Sequence, residues 1–170
     1  MIIIGIDPGT ARMGYGVIKV GKDGKNIRLL ESDVIVTHAD LEPENRLKYL
    51  YESLTSVLKK YNPDVMVIEK LFFNTNAKTA IAVGQARGIS MLTAANRKVK
   101  VNEFTALEAK LVLTGYGRSD KKVMQEAVKK TLKLADKVAS DDANDAIAMA
   151  LCYIKKVVLD GSKPKGNKKK

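Results

Sequence analysis

Residues 1–7 read MIIIGID, an unbroken apolar and largely β-branched run that closes on a carboxylate. A run of this kind predicts a strand buried on both faces. Residues 14–20 (GYGVIKV) predict a second strand, 21–26 (GKDGKN) a hairpin turn and 27–37 (IRLLESDVIVT) a third strand. The short connections predict an antiparallel meander. The period then changes: Leu47, Leu50, Tyr51, Leu54, Val57 and Leu58 recur at helical spacing within 42–61, and Asn62-Pro63 ends that helix. Residues 64–70 (DVMVIEK) are apolar until Glu69 and predict a fourth strand. Because it follows a helix, it is expected to run parallel to the first. Residues 76–96 predict a helix that is small or apolar on more than one face, which implies burial on two sides. A fifth strand is expected at 98–104, then helices at 105–114, 120–134 and 141–158, the last with Ser140 as N-cap. The order β-β-β-α-β-α-β-α-α-α predicts an α/β fold, a five-stranded mixed sheet with helices on both faces.

Composition adds a partner. The chain of 170 residues carries 30 Lys and Arg against 19 Asp and Glu, a net charge of +11. Such an excess suggests a polyanion, most simply nucleic acid, with an acidic membrane surface second. Residues 160–170 hold five Lys and one Asp, so the body still carries about +7. The length fits one domain, expected over residues 1–158, followed by a basic, disordered tail at 159–170. Cys152 is the single cysteine, so neither an internal disulfide nor a cysteine-based zinc site is available to it. It reads as a small, reduced core residue and suits a cytoplasmic protein. No apolar run approaches a membrane span, and no basic segment precedes the first strand as in a signal peptide. His38, the one histidine, reads as a surface residue, which leaves catalysis to carboxylates, Lys, Tyr or hydroxyls.

The carboxylates form a pattern. Asp7 and Glu69 each close an otherwise apolar strand, and parallel neighbours would bring both to one sheet edge, where ligand sites of such sheets lie. Asp142 and Asp145 share a face of the last helix at i,i+3, and Asp141 and Asp145 share one at i,i+4. Spacing does not choose between those pairs. Each acid also has a plainer reading: Asp7-Pro8-Gly9 is a turn signal, Asp141 and Asp142 favour a helix N-terminus, and Glu69-Lys70 could be a solvated strand end. Four acids together would repel one another unless a cation intervened. Oxygen ligands without His or Cys suit Mg2+ or Mn2+. An acidic pocket in a basic protein implies two-metal phosphodiester hydrolysis, with ions about 3.5–4 Å apart.

The segments GIDPGTARMGYGVI, IEKLFFNTNAKTAIAVGQARG and SDDANDAIAMA, in this order over nearly the whole chain, resemble the RuvC crossover junction endodeoxyribonucleases, the Holliday junction resolvases of bacteria. The resemblance implies a ribonuclease H-like fold and an endonuclease that resolves four-way DNA junctions by paired nicking in recombination and repair. It implies a site of Asp7, Glu69, Asp142 and Asp145, favouring Asp142 over Asp141, with two Mg2+ ions for which Mn2+ can substitute. It also implies DNA contacts by Phe72, Asn76, Arg87, Lys110 and Lys121, with Phe72 disturbing base stacking at the junction. A homodimer built on helix 76–96 and action alongside branch-migration proteins follow in the same way. The competing readings are a YqgF-like nuclease acting on structured RNA, a metal-free DNA-binding module and, least fitting for a chain of this length, an actin-like ATPase.

Overall fold

The computed structural model describes residues 1–21, 24, 26–70 and 77–161, with side chains from residue 80 onward in the helix that begins at Ala77. Phe72 and Asn76, the neighbouring Phe73, Lys25 of the hairpin and residues 162–170 of the tail lie outside the described residues.

Five strands and five α-helices follow the expected order among the described residues. They are β1 (Ile2–Asp7), β2 (Arg12–Val20), β3 (Ile27–Val36), α1 (Pro43–Tyr61), β4 (Val65–Glu69), α2 (Ala77–Asn96), β5 (Lys100–Phe104), α3 (Ala106–Thr114), α4 (Lys121–Leu132) and α5 (Asp141–Tyr153). The sheet runs β3-β2-β1-β4-β5. β1 pairs antiparallel with β2 and parallel with β4, and β4 pairs parallel with β5. The meander and the parallel return after α1 both match expectation.

Strand parity sorts the core into two layers. Ile4 and Ile6 of β1, Met13, Tyr15 and Val17 of β2, and Met66 and Ile68 of β4 pack with Leu50, Leu54 and Leu58 of α1 and Ala86 and Ala94 of α2. Ile3 of β1, Ile18 of β2 and Val65 and Val67 of β4 pack on the other face, with α3, α4 and α5. Asp7 and Glu69 continue the second set, two residues beyond Gly5 and Val67. Both acids therefore emerge on the α5 side.

Helix ends use local chemistry. Pro43 opens α1, and Asn62, left-handed at φ 44°, closes it by donating its N–H to the Leu58 carbonyl. Thr105 and Glu108 form a reciprocal capping box on α3, and the Asp120 side chain caps α4. The last helix differs from expectation. It is α-helical only to Tyr153 and continues as a π-helical turn, Ile154–Leu159. In that turn Lys156 lies over the Phe104 ring and reaches Glu108 at 3.2 Å, while Val157 and Val158 stay against the core.

Candidate active site

The site is assembled by glycine. α5 lies so close on β1 and β2 that a Cβ at Gly5 would fall on the Ala146 carbonyl, and one at Gly14 on the Asp142 carbonyl. No other residue type admits this approach. In the β1–β2 ladder Asp7 stands opposite Gly14, so the contact that seats the N-terminus of α5 also brings Asp142 to Asp7. In the β1–β4 ladder Ile6 stands opposite Ile68, which sets Glu69 beside Asp7.

The electrostatics record the convergence. Burial, then the charges of Glu69, Asp145 and Asp142, push the Asp7 carboxyl up to about 7. Burial and the Asp145 charge raise Glu69, against the pull of its hydrogen bond with Asp7 and of Lys110. Asp145 is raised chiefly by burial. These three acids want a cation.

Asp141 and Asp142 part company. Asp141 turns to α4, where Lys121 Nζ lies 2.8 Å from one oxygen and Gln125 Nε2 donates to the other at 2.8 Å. That ion pair holds its carboxyl below the usual range. Asp142 turns to β2, where Arg12 Nε donates to its Oδ2 at 2.6 Å. The Asp142 charge is felt at Asp7 and at Asp145, and that of Asp141 at Asp145.

The basic residues also divide. Lys110 of α3 joins Glu69 and Asp145 in the lining of a cleft of about 140 Å³, floored by Ala109, Ala148 and Met149. Lys121 is at the rim, paired with Asp141 and more than half exposed. Arg87 is taken up inside the protein: Nη1 donates to the Glu69 backbone carbonyl at 3.0 Å and Nη2 pairs with Glu103 of β5. His38 is exposed and Cys152 buried, as expected.

Sequence reasoning missed Arg12 and Gly5. Strand alternation carries the signal for both, because Arg12 shares its face with Gly14 and Gly5 shares its face with Asp7.

The donor set is all carboxylate, with Asp7 half-buried and short of positive charge, and it fits a hard divalent cation. Among the described residues no three such side chains are already gathered into a metal cage. Arg12 is paired with Asp142, and Asp7 and Glu69 share a hydrogen bond.

The family model for the crossover junction endodeoxyribonuclease RuvC matches residues 3–153, a span that contains all four acids. The chain belongs to the RuvC family. A RuvC from Alkaliphilus oremlandii is 44% identical over 153 residues, covering 90% of this chain and 92% of the relative. One from Desulforamulus reducens is 46% identical, covering 90% and 93%. The structure of Thermus thermophilus RuvC in complex with a Holliday junction substrate superimposes with a TM-score of 0.88 at 27% identity, over 96% of this chain and 99% of that one. As a RuvC protein the chain is a nuclease with a ribonuclease H-like fold, as the resemblance implied. No helix among the described residues is long and apolar enough to cross a membrane.

Proposed function

We propose that this RuvC protein resolves Holliday junctions as a homodimer, each copy nicking one of two opposed strands at a site held by Asp7, Glu69, Asp142 and Asp145. The observation that carries the reading is the convergence of these four acids on one face of the sheet, inside the span that matches the family. They would hold two Mg2+ ions, or Mn2+ in their place. Such ions supply charge stabilisation to the attacking and leaving oxygens of a phosphodiester.

The chain's own residues do the rest. Asp7, the most central acid, reaches toward both Glu69 and Asp142 and suits the shared-ligand role. Half-buried Glu69 and Asp145 line the cleft beside it. Lys110 inside the cleft and Lys121 at the rim offer charge to the phosphates flanking the cut, and the positive body draws the DNA in. Phe72 and Asn76, three and seven residues beyond Glu69, are proposed as contacts with the bases and backbone at the crossover. Residues 1–158 serve as the nuclease domain and 159–170 as a basic tail adding non-specific phosphate contacts.

The dimer reading rests on α2. Its inner face is buried through Ala86, Ser90, Thr93 and Ala94. Its outer face leaves Ile81 69% and Leu92 51% exposed, in line with Gly84, Gly88 and Met91. A Cβ at Gly84 or Gly88 would meet nothing within the protomer, so these glycines serve no packing need inside it. A second copy seated there would bury the stripe and, by two-fold symmetry, present one site to each of two equivalent strands.

The direct test is incubation with a synthetic four-way DNA junction and Mg2+. Symmetric nicks in two opposed strands are expected, with linear duplex and a four-way RNA left intact. Preferential cleavage of the RNA would favour a YqgF-like role instead.

A further inference from the structure

We infer that Arg12 is a built-in counter-cation that occupies Asp142 in the metal-free protein and competes with the divalent cation for it. This rests on the metal site proposed above.

The pairing is a product of the fold. Arg12 opens β2, and Gly14, two residues on, lies on the same sheet face. Gly14 seats the first turn of α5 directly on the strand, with the Asp142 carbonyl against it. Arg12, one step nearer the strand's start on that face, therefore meets the Asp142 side chain rather than its backbone. Gly9 helps set the approach, since a Cβ there would fall on the Arg12 carbonyl. The contact spans 130 residues of sequence and is made at 2.6 Å.

Its chemistry suits a displaceable ligand. The guanidinium engages one oxygen through Nε alone, rather than through the two-pronged grip Arg makes where it is meant to stay. The Arg12 side chain is 53% exposed, so it can swing into solvent without leaving a cavity. Asp142 is 31% exposed, so a cation from solvent can reach it. Lys121 does not share the task, because it is spent on Asp141. Held by Arg12, Asp142 adds less repulsion to Asp7, Glu69 and Asp145. Released, it turns its oxygen to the cation.

The test measures metal binding without DNA. Mn2+ affinity of the full chain is read by calorimetry and by electron paramagnetic resonance for wild type, Arg12→Gln, Asp142→Asn and the double variant. Arg12→Gln is expected to bind Mn2+ roughly two- to fivefold more tightly, the size of a partly exposed ion pair. In the Asp142→Asn background the same change is expected to leave affinity unmoved, because the coupling runs through that carboxylate. Unchanged or weaker Mn2+ binding by Arg12→Gln overturns the inference. So does an equal gain in both backgrounds, which would mark a general charge effect. A wild type that binds no Mn2+ overturns the metal site itself, and this inference with it.

Discussion

Arg87 of α2 donates a hydrogen bond to the backbone carbonyl of Glu69 and, through its other nitrogen, pairs with Glu103 of β5. One partly buried side chain thus fastens the outermost strand, the helix bearing the exposed apolar stripe and the residue that carries an active-site carboxylate. Removing it strands a half-buried glutamate and a carbonyl, a cost of about 1–3 kcal/mol. Arg87→Ala is expected to lower the melting temperature and slow cleavage while leaving junction affinity near wild type. Affinity and rate measured on the same four-way junction check this, since loss of a phosphate contact would weaken binding first.

Gly14 tests how the site is assembled. Gly14→Ala sets a methyl against the Asp142 carbonyl, and α5 must lift from β2 to accommodate it. The cost should be at least the roughly 1–3 kcal/mol of an overpacked core. Denaturant unfolding should show it, with cleavage falling further than stability alone accounts for. Gly117→Ala, whose nearest neighbours are in the flexible Leu107 side chain, is the mild comparison.

Much of this architecture is legible in the sequence. The strands and helices announce themselves by period, and the helix before the fourth strand favours a parallel return, but only the sheet order makes that strand the neighbour of the first and so brings Asp7 and Glu69 together. What stayed hidden is long-range or side-chain specific. Asp141 and Asp142 are adjacent on one helix, and only the positions of Lys121 and Arg12 separate them. Arg87 reads as one more cation until Glu103 and the Glu69 carbonyl are seen beside it. Residues 12 and 13 look like loop, but β3 extends to Val36 and pairs with Arg12 across the sheet. Composition makes α2 apolar all round, so the outward stripe through Ile81 and Leu92 could not be told from half-buried Ala82.

That stripe carries the assembly prediction. Leu92→Glu places a charge at the C-terminal end of the stripe, on a side chain 51% exposed and outside the core. Sedimentation at micromolar concentration is expected to show a dimer for wild type and a monomer for the variant. A wild-type monomer would remove the paired-nicking account.

Acidity gives a fourth prediction, with a definite sign. The Asp7 carboxyl rises from 3.8 to about 7 on folding, so the native state binds a proton that the unfolded chain has released. Its contribution to metal-free stability is fully present below 3.8 and is lost as pH rises through about 7. In the presence of a chelator, wild type should lose melting temperature between about pH 4 and 7 relative to Asp7→Asn, which has no proton to give up, and level off above that. Parallel curves for the two proteins would mean that Asp7 is not crowded by the other acids.

The central claim is that Asp7 serves the chemistry and not the grip on DNA. The most direct measurement is the rate at which Asp7→Asn cuts a synthetic four-way junction with saturating Mg2+, taken beside its affinity for the same junction in a chelator. Affinity should match wild type, because it comes from Lys and Arg contacts to phosphate. The cleavage rate should fall by more than the roughly 10–100-fold typical of losing a group that only supports a metal ligand. An Asp7→Asn protein that still nicks the junction at near wild-type rate would contradict the account.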